Sequence, residues 1–154
     1  MPIVPPEDLR SLLSPRKRLL GLDLGTKTIG LAIGDSDLTI ASPLETIRRK
    51  NLHLDCARLE EIIAERDVGG LVIGLPVNMD GSEGERCVET RKFGADLLSR
   101  LDLPITFWDE RLSTAAVERA MIEADLSRSK RAKVVDKLAA AYILQGALDF
   151  LSRS

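Results

Sequence analysis

Leu19-Leu20-Gly21-Leu22-Asp23-Leu24-Gly25-Thr26-Lys27-Thr28-Ile29-Gly30-Leu31-Ala32-Ile33 is the stretch whose reading decides the fold. Two short apolar runs flank Gly25-Thr26-Lys27, and a break this tight joins strands that pair antiparallel. Gly34-Asp35-Ser36-Asp37 ends the second run, and a third strand is predicted from about Thr39 to Ile47. Pro43 within it points to an edge or a bulge, because proline cannot donate to a ladder. Asp23 breaks the apolar character of the first strand. Buried aspartate costs several kcal/mol unless it is paired, hydrogen-bonded or bound to a cation. It either caps the Gly25-Thr26 turn or serves a ligand.

Beyond Ile47 the period changes. Leu52, Cys56, Leu59, Ile62 and Ile63 fall on one face of a helix predicted over Asn51–Asp67, with Gly69-Gly70 as its stop. Leu71–Leu75 is wholly apolar, as in a strand buried on both faces. Ser82 to Arg100 reads as a helix opened by a Ser82/Glu85 capping box, and Pro104–Trp108 as another strand. Further helices are expected from Ser113 to Ala124 and from Lys130 to Leu151. Three antiparallel strands followed by two parallel βα units give an α/β protein, a mixed five-stranded sheet with helices on both faces. Residues 1–17, which carry Pro2, Pro5 and Pro6, read as a loosely ordered N-terminal extension. Residues 18–154 read as a single domain.

Composition excludes several chemistries. His53 is the only histidine, and Cys56 and Cys87 follow no ligand spacing. Zinc clusters, a disulfide framework and a histidine-based triad are therefore poorly supplied. Carboxylates remain as the working groups. No apolar run nears the roughly 20 residues of a bilayer span, and Met1–Arg10 lacks an apolar leader, so a cytoplasmic protein without membrane attachment is expected. Net charge is −2, yet basic residues bunch at Arg16–Arg18, Arg48–Lys50 and Arg128–Lys133, and location matters more than the sum.

Three acids stand where a ligand could gather. Asp23 is in the first strand. Glu110 lies just past the carboxyl end of the Ile105–Trp108 strand, where ligands of open α/β sheets collect. Asp136 shares a helical face with Ala140 and Ile143 instead of facing solvent. Such a set suits a hard cation with oxygen ligands, Mg²⁺ or Mn²⁺, and two such ions can activate water and stabilise the leaving oxygen of a phosphodiester.

Four segments carry a family resemblance: Leu22–Ala32, Gly74–Gly84, Asp109–Thr114 and Val134–Gln145. Together, over roughly residues 18–150, they resemble the YqgF family, proteins described as Holliday junction resolvases and as nucleases of pre-16S ribosomal RNA. The resemblance implies a ribonuclease H-like fold. It also implies that Asp23, Glu110 and Asp136 are the active-site acids and metal ligands, with Asp109 as a fallback one residue away. The expected partner is a structured RNA precursor or a branched DNA, bound by a monomer or a homodimer. Phosphate contacts are expected from Thr26, Lys27, Arg111, Arg128, Lys130, Arg131 and Lys133, whereas the Asn78–Ser82 loop, which opens a helix, reads as a capped turn in preference to a phosphate site. Phe93, Phe107, Trp108, Tyr142 and Phe150 all fall in predicted elements, which favours recognition of backbone and shape over base stacking. Two rivals are a non-catalytic ribosome-assembly factor and an actin-like or sugar-kinase-like ATP-binding protein. The second needs two domains around its nucleotide, and 154 residues leave room for one.

Overall fold

The computed structural model describes residues 3–112 and 128–153, with backbone alone described for 128–135. One sheet holds five strands: β1 Arg18–Leu24, β2 Thr28–Gly34, β3 Ala41–Arg48, β4 Val68–Leu75 and β5 Ile105–Asp109. Their order is β3-β2-β1-β4-β5. The first three pair antiparallel, while β4 lies parallel to β1 and to β5. The four helices described are α1 Pro6–Leu12, α2 Leu52–Glu65, α3 Glu85–Leu98 and α4 Arg128–Ser152. The mixed sheet expected from the sequence is therefore present. The helix expected over Ser113–Ala124 lies outside the described residues.

Strand alternation divides the core. Leu20, Leu22, Leu24, Ile29, Leu31, Leu71, Ile73 and Ile105 form one apolar layer with residues of α2 and α3. Leu19, Ala32, Val72 and Trp108 face the other way, against Ala140, Ile143, Leu144 and Leu148 of α4. Pro43 sits in the edge strand, and the β2–β3 register slips between Leu31 and Ala32, so both readings of that proline hold.

Three local expectations need correction. Gly69 and Gly70 do not stop α2 but belong to β4; the left-handed residue after the helix is Asp67, with φ 54°. The Ser82/Glu85 capping box is absent, because α3 begins at Glu85 with Gly84 as an N-cap that lends no side chain. Ser82 instead bonds Asp80, and Glu83 pairs with Arg91 at 2.7 Å. The third concerns residues 3–17, which pack on the sheet where a loose extension was expected. Leu9 is 1% exposed in the α4-side layer, the Val4 amide donates to the Ile105 carbonyl at 2.9 Å, and Arg10 Nη1 donates to the Leu151 carbonyl at 3.1 Å.

Candidate active site

On β1, Leu19, Gly21 and Asp23 point towards α4. Asp23 is directly opposite Gly30 of β2, and residues opposed across a ladder project to the same face. A Cβ on Gly30 would stand 2.0 Å from the carbonyl oxygen of Asp136, so the backbone of α4 lies on that glycine. On the other side, Gly74 lies one residue past Ile73, the partner of Leu22. A Cβ there would meet Ile143 Cδ1 at 2.4 Å and Glu110 Oε2 at 3.4 Å. Asp23 is thus flanked on this face by two glycines, with Asp136 over one and the Glu110 carboxylate beside the other. Asp23 and Glu110 are 7% and 6% exposed.

The same alternation separates Glu110 from its neighbour. Phe107 packs in the α2/α3 layer and Trp108 in the α4 layer, so Asp109 and Glu110 diverge. Asp109 is bound by Arg111, whose Nη2 donates to its Oδ2 at 2.7 Å and whose amide donates to its Oδ1 at 2.9 Å. Arg111 Nη1 also reaches the Met79 carbonyl at 3.5 Å, tying the end of β5 to the β4–α3 loop. The guanidinium hydrogen bond holds the Asp109 carboxyl below its ordinary value. Because the folded value is the lower one, the stabilisation is complete above the unfolded value and is lost as pH falls through the folded one. Replacing Arg111 with Met is expected to raise the Asp109 titration midpoint towards that of a free aspartate, read from its carboxyl carbon by NMR.

Asp136 stands in the third turn of α4, half-buried, and its Oδ2 accepts a 2.5 Å hydrogen bond from Thr28 Oγ1. As the side chains stand, no three acidic, histidine or cysteine groups among the described residues are close enough to hold a metal ion together. The fold therefore converges the backbones bearing the acids, with one carboxylate engaged by a threonine. Thr26 and Lys27 are exposed on the turn beyond Asp23. Arg128, Lys130, Arg131 and Lys133 lie in the first turns of α4, and their side chains are outside the description. The Asn78–Ser82 loop is closed by its own bonds, Asn78 amide to Ser82 carbonyl and Gly81 amide to Asn78 carbonyl, both 2.9 Å. His53 is exposed on α2, away from the acids, and both cysteines are free and buried. Trp108 and Phe93 are buried, whereas Phe150 is partly exposed against the Trp108 ring.

Sequence reasoning noted Arg49 only as part of a basic cluster and gave no place at this site to it, to Arg86 or to the glycines. Arg49 Nη1 donates to the Gly25 carbonyl at 2.7 Å, and Arg86 Nη2 reaches the Leu24 carbonyl at 3.4 Å, so two guanidinium groups hold the backbone just past Asp23. Gly30 and Gly74 were legible in principle. Counting alternate residues places Gly21, Gly30 and Gly74 on the face shared by Asp23.

A family model described as "RuvX: Holliday junction resolvase" matches residues 17–150. The chain belongs to the RuvX family. A curated relative from Roseobacter denitrificans, named "Putative pre-16S rRNA nuclease", is 60% identical over 92% of this chain and 88% of its own length. One of the same name from Paramagnetospirillum magneticum is 58% identical over 97% of this chain and 96% of its own. Among solved structures, RuvC of T. thermophilus in complex with a Holliday junction substrate superposes with a TM-score of 0.54 at 13% identity, covering 86% of this chain and 93% of that one. At that identity the likeness is one of fold, the ribonuclease H-like sheet. As a RuvX protein the chain is a nuclease, a hydrolase of phosphodiester bonds that acts on nucleic acid. No helix among the described residues is long and apolar enough to cross a membrane.

Proposed function

We propose that Asp23, Glu110 and Asp136 form the catalytic centre of this RuvX nuclease and bind magnesium or manganese. The observation that carries the reading is their arrangement on the α4 face: Asp136 backbone over Gly30, Glu110 Oε2 beside Gly74, and Asp23 between those glycines. The donor set fits a hard divalent cation, being carboxylate throughout, with no histidine or thiol on that face. Bound there, the cation supplies an activated water and neutralises charge on the leaving oxygen.

The chain's own residues do the rest. Asp23 is fixed by its strand and cannot move without breaking the sheet centre. Glu110 is presented by the 3-10 turn Glu110–Leu112 immediately after β5. Asp136 rides on α4, so its position depends on how closely that helix can approach β2. Thr26 and Lys27 on the turn, and the basic start of α4 with Arg128, Lys130, Arg131 and Lys133, would lead a phosphate backbone to the acids. Arg111 contributes less than its residue type suggested, since its guanidinium is engaged by Asp109.

The substrate we favour is the 5′ region of pre-16S ribosomal RNA, on the strength of relatives bearing that name at 58–60% identity. A monomer suffices for such a cut. The second reading, cleavage of a four-way DNA junction, is favoured by the family description, and it requires a symmetric dimer to place two active sites. Labelled pre-16S leader and a four-way junction, each incubated with magnesium or manganese and then with chelator, separate the two. We expect metal-dependent cutting of the RNA. Cutting of the junction alone would select the second reading, and binding without cutting of either would leave a ribosome-assembly factor.

A further inference from the structure

We propose that Thr28 is a positioning residue for Asp136, a role that rests on the metal reading of the site above. Thr28 opens β2 two residues before Gly30, so both project towards α4. Its hydroxyl donates to Asp136 Oδ2 at 2.5 Å, the short limit of the range for an O–H bond to a carboxylate. One carboxylate oxygen is thereby fixed, which sets the direction in which the other points.

The hydroxyl is itself held. Thr28 is β-branched and stiff about χ1. The Gly25 amide donates to the Thr28 carbonyl at 2.8 Å, and a Cβ on Gly25 would lie 3.3 Å from Thr28 Oγ1, so the turn closes against the hydroxyl. The Gly25 carbonyl is in turn gripped by Arg49. A run of bonded groups therefore extends from Arg49 through Gly25 and Thr28 to Asp136. It couples the turn after β1 to the acid on α4, elements that meet only through the tertiary fold. Groups that hydrogen-bond a ligating carboxylate orient it, and their loss typically weakens metal binding ten- to a hundredfold.

The test is Mn²⁺ affinity of the free protein, by calorimetry or by loss of the free-ion EPR signal, for wild type, Thr28→Val, Thr28→Ser, Asp136→Asn and the Thr28→Val/Asp136→Asn double variant. Thermal unfolding of each reports whether it is folded. We expect Thr28→Val, which keeps the shape and removes the hydroxyl, to bind Mn²⁺ roughly tenfold more weakly. Thr28→Ser should stay within about twofold of wild type, and in the Asp136→Asn background the valine should add less than about twofold. Unchanged or tighter binding in folded Thr28→Val, with Asp136→Asn clearly weakened, overturns the positioning role and leaves the metal site standing. If Asp136→Asn binds as wild type does, the metal reading of Asp136 fails, and this role with it.

Discussion

Asp23→Asn is expected to slow metal-dependent cleavage by about a thousandfold while leaving the fold in place. The change is isosteric, so strand β1 and the α4 contacts at Gly21 and Gly30 are undisturbed. It removes one formal charge from the proposed cation-binding centre. Loss of a single preorganised group aimed at developing charge costs roughly a hundred- to a thousandfold in rate, and Asp23, at the middle of the acid set, is expected to fall at the upper end. Stability should move little, since the amide keeps the size of the carboxylate and one accepting oxygen at a position 7% exposed. Single-turnover cleavage and urea unfolding on the same preparation check both halves. Full activity in Asp23→Asn would remove this residue from the catalytic centre.

Gly30→Ala should do the reverse, damaging the fold first and activity as a consequence. A Cβ at that position would stand 2.0 Å from the Asp136 carbonyl oxygen and 2.3 Å from its carbonyl carbon. These are backbone atoms, so no side chain can rotate away, and α4 must lift from β2. Overpacking of this kind costs about 3 kcal/mol or more, which for a domain of this size is a fall of roughly 6–12 °C in Tm. Because Asp136 sits at the point of contact, the surviving folded protein should also lose metal affinity. Gly34→Ala is the control on the same strand. Its Cβ would meet nothing nearer than 3.5 Å, and a small change in Tm is expected. Equal effects of the two substitutions would mean that close approach of α4 is not what Gly30 serves.

Much of the architecture is legible in the chain because the signals are local. The run from Leu19 to Ile33 shows two strands and a turn, and the switch to a helical period at Leu52 shows where the βα units begin. The acids proposed for the centre stand out for the same reason, since an aspartate in an apolar strand and one on an apolar helix face contradict their surroundings. What escaped was set by tertiary contact. Gly69 and Gly70 look like a helix stop, yet Asp67 accepts the left-handed conformation and frees both for β4, where Gly70 packs against Leu19 and Leu9. Residues 1–17 look like a tail because they are rich in proline, whereas Leu9 and the Ile3–Ile105 bridge bind residues 3–17 to the sheet. The partnership of Thr28 with Asp136 spans 108 positions, and no periodicity relates residues so far apart. The Asp109–Arg111 pair is close in sequence, but only the facing of Phe107 and Trp108 tells which of two adjacent acids turns towards Asp23.

The most direct measurement is an anomalous difference map from crystals grown with Mn²⁺. The proposed centre requires a peak on the α4 face of the sheet, within ligand distance of Asp23 and Glu110 and with Asp136 in its coordination sphere or bound through water. A well-ordered crystal with Mn²⁺ elsewhere, or with no peak at those three carboxylates at millimolar metal, would contradict it.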